Sequence, residues 1–463
     1  LIGNRIFIID SKTVKDVNIF DFKANVILDG KLGSLENIIS DIEEKCNTRS
    51  EKNRRVEILK KETQFYNYNL ESMDLKYKNS YGGFSSDGKN YTILVNKNIP
   101  STWTNVLTNG KIGTIVTQNL GGYTWSKNSR LNRITRWSND ELLDMPSESI
   151  FIRDYSKNKY WRIGDEKLLA TFGFGYSDYE QQTNEIQGRL QVYIPEKDNL
   201  KINILKLKNT TTEDKELSII YKIDDVLGED ELKTNGQIDL RFNKEKDLIV
   251  MRNLNTQDIN EIVYIYSSEK IESYTGNNDS IQINKKEKLN KENSLWNNTC
   301  AAIEIKVNLK GLEEKEISLI LGTSEDENNI NLDYKEINKC KEELIKTKES
   351  WNRLLSKIRV KTPIESIDIM LNGWTMYQTI ASRILARSGF QQSGGAYGFR
   401  DQLQDCIGVE YLDTEITKNQ ILKHAKHQFV EGDVEHWWHE ETKRGIRTKF
   451  SDDRLWLVYL VCD

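Results

Sequence analysis

The chain has 463 residues, of which 30% are charged and 9% aromatic, and its 66 basic and 71 acidic side chains give a net charge of −5. This length exceeds what a single core usually supports and predicts two or three domains. Basic and acidic residues are spread together along the chain, so a nucleic-acid-binding surface is not expected. No apolar run reaches the roughly 18 to 20 residues that cross a bilayer, so no membrane segment is predicted.

The ends and the cysteines indicate the compartment. No basic segment followed by an apolar run and a small-residue cleavage site stands at the start, so a signal peptide is not predicted. The five cysteines are far apart and form no CxxC pair, which is typical of a reduced, cytoplasmic protein. The chain begins at Leu1 and stops inside the apolar run 457–463, which predicts a fragment with a helix cut in mid-course.

The first three quarters of the chain predict a mixed lead-in and then strands. Residues 1–74 are predicted to hold a strand at Arg5–Ile9 and a helix over 50–73, where charges interleave with apolar positions. Residues 75–332 predict a large antiparallel β-sandwich, because short alternating runs are separated by Gly, Asn and Asp turns. These runs are residues 91–95, 190–194, 202–207, 217–221 and 302–307.

The remainder of the chain predicts helices. Residues 333–362 are expected to form a helical linker, with one helix over 334–357 that ends before Pro363. Residues 363–463 form a last helical region, whose glycine-rich and aromatic segments fall between the helices. Those helices are predicted over residues 364–387, 402–412 and 414–428.

The polar run Ser393–Asp405 has the composition of a sugar-binding site. Arg400, Asp401, Gln404 and Asp405 follow a Gly-Gly turn and open a helix, where backbone amides point outward. Guanidinium and carboxylate groups in this order can hold adjacent sugar hydroxyls as donor and acceptor pairs. A capped helix with a local ion pair explains the same residues equally well.

A pair of carboxylates near the end, Asp452 and Asp453, offers a general acid. Two adjacent carboxylates rarely serve as one buried pair, so one is expected to face a pocket and the other to anchor a loop. Phe450 and Trp456 could provide the apolar surroundings that a general acid needs. The alternative is an N-cap, because Ser451-Asp452-Asp453 precedes an apolar run.

All four histidines lie between residues 424 and 439. Their spacing permits a metal site, but Trp437 and Trp438 intervene and no HExxH pattern is present, so no metal is predicted. Imidazoles that bind sugar hydroxyls, His436 among them, fit better. Of the two tryptophans one is expected to stack on a sugar and one to lie in the core. Arg387, at a helix end beside a glycine turn, is either a surface charge or a phosphate ligand.

Several long segments, in order, resemble glycoside hydrolase family 94, which holds inverting disaccharide and oligosaccharide phosphorylases and the phosphorylase-like part of cyclic β-1,2-glucan synthases. The likeness covers residues 75–463, and 25–35 is similar to the segment that precedes this module in the synthases. The segments are Asn79–Gly88, Gly121–Arg133, Trp137–Asp140, Ser393–Asp405, Gly432–His439 and Arg447–Trp456.

The resemblance implies a large β-sandwich, a helical linker and an (α/α)6 barrel that carries the site. It also implies a homodimer in which a sandwich loop, here within 123–132, reaches toward a catalytic pocket. Asp452 is implied as the general acid, with Asp453 the weaker alternative, and Arg387 as a phosphate ligand. Arg400, Asp401 and Asp405 are implied as sugar-binding residues. The further residues predicted to bind the sugar are Gln404, His436, Trp437, Trp438 and Asp453.

The implied reaction is phosphorolysis of β-linked gluco-oligosaccharides to α-glucose 1-phosphate. The linkage that the resemblance favours is β-1,2. Phosphate is the co-substrate and no cofactor is needed, since an anionic nucleophile replaces the base of an inverting hydrolase. The family's barrel continues well beyond the length of this chain, so an incomplete, inactive barrel is expected. Two alternatives remain open: a non-catalytic carbohydrate-binding fragment, and a chain-length-control domain of a cyclic β-1,2-glucan synthase.

Overall fold

The computed structural model describes residues 57–463 apart from 96–98, 184, 256–258 and 296–297, together with Ser34, Glu36 and Ser40. Residues 1–57 form one compact unit and residues 58–463 another. The second unit contains a β-sandwich, a linker helix and a helical region. The predicted strand Arg5–Ile9 and the first part of the predicted helix over 50–73 lie outside the described residues.

A β-sandwich occupies residues 58–324. All the strand pairs described within it are antiparallel except Lys60–Lys61 with Lys159–Arg162. The largest sheet has eleven strands, in spatial order Gly82–Phe84, Asn90–Val95, Leu168–Gly173, Tyr176–Gln182, Ile186–Tyr193, Leu200–Asn209, Glu314–Ser324, Ile262–Ser267, Leu248–Asn253, Ile238–Asn243 and Ser294–Leu295.

Two further sheets complete the sandwich. The six-stranded sheet has the order Lys60–Lys61, Lys159–Arg162, Glu148–Asp154, Lys215–Ile223, Thr299–Leu309 and Ile271–Asn277. The five-stranded sheet has the order Asp225–Gly228, Arg133–Thr135, Gly122–Ser126, Ile112–Thr117 and Thr104–Thr108. The predicted large antiparallel sandwich is confirmed. Four of the five alternating runs lie wholly in strands, and the fifth, 190–194, extends one residue beyond the strand Ile186–Tyr193.

The predicted helix over 50–73 is wrong in its described part. Residues 57–73 contain the short strand Lys60–Lys61 and a single 3₁₀ turn, Leu70–Ser72. Leu59, Phe65 and Leu70 are buried, and the strand pairs with Lys159–Arg162. Their side chains therefore anchor an extended segment on the sandwich, and this tertiary contact overrides the local helical pattern.

Helices follow the sandwich. Helix α1, Glu231–Thr234, is a short turn within it, and α2, Ile337–Leu355, is the linker helix. Helix α3 spans 365–386 and contains two π-helical segments, Met370–Trp374 and Thr379–Ala386. The last three are α4, Phe399–Ile407, α5, Thr414–Ala425, and α6, Asp453–Cys462. Further 3₁₀ turns are Asn278–Ser280 and Asp333–Lys335.

A small sheet lies among the last helices. It has three antiparallel strands, Tyr397–Gly398, Glu435–His439 and Arg444–Arg447. The glycine-rich and aromatic segments do fall between helices, as predicted, but their pairing into a sheet was not anticipated. This sheet joins the segments before α4 and before α6.

Two apolar clusters hold these layers together. Linker helix α2 packs Cys340 and Leu344 against outward-facing residues of the large sheet, such as Ile202 and Tyr264. The central strands of that sheet are therefore buried on both faces. Helix α3 contributes Trp374, Tyr377 and Ile380 to the main core. The helical region and the sandwich thus share one core.

Some features of the described residues bear on the sequence predictions. None of the helices is long and apolar enough to cross a membrane. The described cysteines form no disulfide, and Cys300, Cys340 and Cys406 are buried. Helix α6 exposes the apolar side chains of Leu455, Val458 and Val461 and the ring of Tyr459.

Replacing Tyr377 by Phe is expected to destabilise the contact between α3 and the sandwich. Its buried hydroxyl lies 2.8 Å from Oδ1 of Asn105 and 3.0 Å from the carbonyl of Val106, and it accepts from the amide of Gly175 at 3.1 Å. Removing it leaves these buried groups unpaired, which costs about 1–3 kcal/mol. Urea unfolding measures the loss. Tyr66→Phe, at an exposed ring, is the control, and equal stabilities of the two variants would contradict the prediction.

Candidate active site

A cleft of about 630 Å³ lies where the end of α3, the glycine loop 388–398 and the strand Glu435–His439 meet. Arg383, Arg387, Asp401, His436 and Trp437 are among the residues that line it, and Arg130 reaches it from the sandwich. The predicted residues Arg400 and Asp452 are not among its described lining residues. They lie beside it, because they are next in sequence to Asp401 and to Asp453, which binds His436.

Arg387 lies at the end of α3, as predicted, in a left-handed conformation with φ of 49°. Its side chain is only 8% exposed and stacks on Tyr397 with 4.0 Å between the guanidinium carbon and the ring centre. Four guanidinium hydrogen bonds are made within the chain, to the carbonyls of Gly395, Leu385 and Lys127 and to the hydroxyl of Tyr397. Of five N–H groups, at most one is left for an anion. Arg387 therefore cannot bind phosphate as a fork in this conformation.

The first two turns of α4 carry the predicted polar side chains. Nε of Arg400 donates to Gln404 at 3.2 Å. Arg383, on α3, donates to Asp405 at 2.9 Å and lies 4.0 Å from Asp401. Burial raises the pKa of Asp405, and Arg383 opposes that rise. Sequence reasoning missed Arg383, because its carboxylate partners lie about twenty residues away on another helix.

Asp452 and Asp453 diverge, as predicted for adjacent carboxylates. The side chain of Asp452 is 46% exposed and pairs with Arg400 at 3.2 Å. It occupies the N-cap position of α6 but makes no side-chain capping bond. Asp453 is 2% exposed and binds Nδ1 of His436 at 2.7 Å. Asp452 is thus the available carboxylate and Asp453 the anchored one.

The aromatic neighbours of Asp452 and Asp453 make other contacts than the sequence suggested. Phe450 stacks on His436 with 4.6 Å between ring centres. Trp456 lies beneath the guanidinium of Arg400, 5.6 Å away. The predicted desolvation of the acid by these rings is therefore not found, since Asp452 remains half exposed.

The two tryptophans differ in burial, and one of them lies in the core as expected. Trp437 lines the cleft, whereas Trp438 is 1% exposed. Trp438 stacks on Tyr397 and on His427, with ring centres 5.5 and 3.8 Å apart. Trp438 is therefore a core residue, and its prediction as a sugar-binding residue does not fit this burial.

The four histidines have separate partners. His424 is buried between the carbonyls of Gln420 and Gly398, and burial lowers its pKa to about 4. His427 binds Glu435, while His436 and His439 line the cleft. Among the described residues no group of His, Cys, Asp and Glu is placed to hold a metal ion.

A loop of the sandwich reaches the cleft within the same chain. Nδ2 of Asn128 lies 3.1 Å from the carbonyl of Gly395, 3.0 Å from Nδ1 of His439 and 2.7 Å from Glu441. Gly395 has φ of +65°, and a Cβ there would lie 2.2 Å from Oδ1 of Asn128. The glycine is thus required by this close approach. Asn128 and His439 were missed because nothing local marks residues that are about three hundred positions apart.

Comparison with known proteins gives two matches to family models. The glycosyl hydrolase 94 supersandwich domain matches residues 89–339, which is more than half of the chain. The catalytic domain of the glycosyl hydrolase 94 superfamily matches residues 350–462. The first match includes Asn128 and Arg130, and the second includes Arg387, Arg400, Asp401 and Asp452.

Several characterised proteins are similar to the chain. A cyclic β-(1,2)-glucan synthase NdvB of Rhizobium meliloti (strain 1021) is 28% identical over 415 residues, which are 85% of this chain and 15% of the synthase. An N,N'-diacetylchitobiose phosphorylase of Vibrio proteolyticus is 24% identical over 82% of this chain and 54% of its own length. The chain thus spans about half, or less, of these relatives. A bacterial glucoamylase structure in complex with acarbose has the same fold, with a TM-score of 0.51 and 10% identity over 87% of this chain and 58% of its own.

Proposed function

The chain belongs to glycoside hydrolase family 94, and from that premise we propose that it serves the inverting phosphorolysis of β-linked gluco-oligosaccharides. One arrangement carries the proposal: an accessible carboxylate, Asp452, lies against Arg400 at the edge of a cleft lined by the neighbouring Asp401 and by arginines. Arginine and carboxylate side chains beside an open cleft suit a sugar with many hydroxyls.

In the proposed reaction Asp452 protonates the glycosidic oxygen as the C1–O bond breaks. Phosphate attacks C1 from the opposite face and forms the new C1–O bond, which inverts the anomeric centre and gives α-glucose 1-phosphate. A hydrolase of this stereochemistry needs a second carboxylate to activate water. Phosphate already carries the attacking oxygen as an anion, so one proton donor suffices, and no cofactor is required.

We assign the sugar to Arg400, Asp401, Gln404 and Asp405 with His436 and Trp437. Phosphate is assigned to the arginine side of the cleft. Arg387 can offer at most one N–H there, whereas the half-exposed Arg383 and Arg130 line the same cleft. Their guanidinium groups could provide the forked contacts that phosphate oxygens favour.

The β-1,2 linkage is proposed from the similarity to the glucan synthase. We also propose that the protein acts in the cytoplasm as a homodimer, as the family resemblance implies. Size-exclusion chromatography with light scattering tests the dimer, and a monomer at micromolar concentration would rule it out.

Release of glucose 1-phosphate should depend strictly on phosphate. We expect a longer reading frame that contains this chain to release α-glucose 1-phosphate from a β-1,2-linked glucan in phosphate buffer and none in phosphate-free buffer. Enzymatic detection of glucose 1-phosphate measures it, with β-1,3- and β-1,4-linked glucans testing linkage. Equal cleavage without phosphate would overturn the proposal in favour of hydrolysis.

A second candidate function is favoured by the synthase match. There the chain corresponds to only 15% of a much longer protein, so it could bind β-1,2-glucan and control chain length without releasing product. Glucan binding measured by calorimetry, without phosphorolysis by any form of the protein, would favour this function. Phosphorolysis that depends on Asp452 would exclude it.

A further inference from the structure

His436 and His439 lie on one strand, Glu435–His439, and both line the cleft. In each ring Nδ1 is held by a side chain of the protein, Asp453 for His436 and Asn128 for His439. No described residue bonds either Nε2. The nitrogen that each imidazole can offer a ligand in the cleft is therefore Nε2.

The partner of His436 requires a proton on Nδ1. Asp453 is buried, and its carboxylate Oδ2 lies 2.7 Å from Nδ1. An ionised carboxylate only accepts hydrogen bonds. In neutral His436 the proton is thus on Nδ1 and the lone pair is on Nε2, which makes Nε2 an acceptor.

The partner of His439 requires the opposite. Oδ1 of Asn128 accepts from the amides of Arg130 and Leu131, both at 3.0 Å, which fixes the orientation of the side-chain amide. Its Nδ2 carries two hydrogens, which are shared among the carbonyl of Gly395, Glu441 and Nδ1 of His439, and it cannot accept a hydrogen bond. A proton on Nδ1 would point at these hydrogens with no acceptor, so Nδ1 is unprotonated in the neutral ring and Nε2 carries the proton. Burial lowers the pKa of His439, in keeping with a neutral ring.

The geometry points to a matched pair: in their neutral forms His436 and His439 hold opposite tautomers and present one acceptor and one donor nitrogen to hydroxyl groups of a sugar in the cleft. A sugar hydroxyl can both donate and accept a hydrogen bond. One acceptor and one donor nitrogen side by side therefore favour a single orientation of the sugar hydroxyls that they bind. Asp453 and Asn128 are positioning residues, because they act through the rings. The sugar as ligand rests on the proposed function, whereas the tautomers do not.

Nitrogen NMR tests the tautomers directly. The chain has four histidines, so a long-range proton–nitrogen spectrum at about pH 8, above the ordinary imidazole pKa, contains four ring systems. Single His→Gln variants assign them. We expect the proton of His436 on Nδ1 and that of His439 on Nε2. The same tautomer in both rings would overturn the inference.

Two isosteric variants test whether Asp453 and Asn128 position the histidine rings or only stabilise the fold. Asp453→Asn should release His436 from its tautomer and leave His439 unchanged. Asn128→Asp, combined with Glu441→Gln to avoid a new repulsion, should move the proton of His439 to Nδ1 and leave His436 unchanged. A spectrum in which neither ring responds, from a variant that is folded by circular dichroism, would refute the roles of these partners.

A titration with β-1,2- and β-1,4-linked glucose disaccharides tests the ligand. On binding, followed in parallel by calorimetry, both Nε2 resonances should shift, and each tautomer variant should lower the affinity about 10-fold or more. Binding that leaves both resonances unmoved, or no binding at all, would overturn the inference. Shifts without any phosphorolysis would support it while removing the proposed reaction.

Discussion

Asp452→Asn should lower kcat/KM for phosphorolysis by about 10²–10⁴-fold, the usual contribution of a general acid. Asparagine keeps the shape and can still meet Arg400, but it has no proton to give to the departing oxygen. Affinity for the oligosaccharide should change little, because Asp452 is half exposed and lies outside the described lining of the cleft. Initial rates of glucose 1-phosphate release measure the loss, and calorimetry measures binding.

The leaving group identifies the role of Asp452. In an aryl β-glucoside whose leaving group is a very acidic phenol, the phenolate departs without protonation. Asp452→Asn should therefore retain most of the wild-type rate on this substrate. Glu415→Gln, at an exposed carboxylate paired with Lys418, is the matched control and should be fully active. If Asp452→Asn lost both substrates equally, the residue would have a structural role instead.

The ion pair between Arg400 and Asp452 involves only one of the two carboxyl oxygens. Nη1 of Arg400 donates to Oδ2 of Asp452 at 3.2 Å. A general acid donates a proton to the glycosidic oxygen, and a protonated carboxyl has one O–H and still accepts at its other oxygen. In the proposed reaction Oδ1 would therefore carry the proton while Arg400 holds Oδ2.

Local patterns predicted most of the fold. The alternating runs at 91–95, 202–207 and 302–307 all lie in strands, because short runs of apolar and β-branched residues between turn residues indicate strands. The prediction of a helix over 57–73 was wrong because the conformation of this segment depends on contacts with Lys159–Arg162 and the core. The π-helical segments of α3 and the sheet formed by Tyr397–Gly398 were also missed, because both depend on tertiary packing rather than on local composition.

The site was predictable where its residues are close in sequence. The candidate residues Arg400, Asp401 and Asp405 could be proposed because two successive turns of one helix carry them, and Asp452 because the resemblance to the family motif marks it. Arg383 and Asn128 could not be found, since their partners come from distant segments. The hydrogen bonds of Arg387 to three carbonyls and to Tyr397 likewise depend on the folded loop. The number of its N–H groups left for a ligand could therefore not be predicted from the sequence.

A buried carboxylate in the sandwich should limit stability above neutral pH. Asp225 begins the strand Asp225–Gly228, opposite Thr135, and neither of its oxygens makes a well-formed hydrogen bond with the described residues. Burial raises the pKa of Asp225 to about 7, and the nearby Thr299 offsets this only in part. The native state thus holds a proton that the unfolded chain, with an ordinary aspartate pKa near 3.8, has already lost.

The pH dependence follows from that difference. The pKa of Asp225 is higher in the folded than in the unfolded state. Its contribution to the unfolding free energy is therefore fully present below about pH 4 and is lost as the pH rises to about 7. Three pKa units correspond to about 4 kcal/mol. Asp225→Asn removes the buried charge while keeping the shape of the side chain. We therefore expect this variant to match the wild type near pH 4 and to exceed its unfolding free energy by up to about 4 kcal/mol near pH 8.

Urea unfolding, followed by tryptophan fluorescence, measures the unfolding free energies of the wild type and Asp225→Asn across this pH range. The contributions of the other titrating groups cancel in the difference between the two. Asp224→Asn is the matched control, because Asp224 is the adjacent residue but pairs with Lys222 at 2.6 Å and with Arg136 at 3.5 Å. Its replacement removes favourable contacts of a partly exposed charge and should cost up to about 1 kcal/mol. A difference for Asp225→Asn that stays constant with pH, or a loss of stability near pH 8 like that of the control, would show that the Asp225 carboxylate has a partner that compensates its charge.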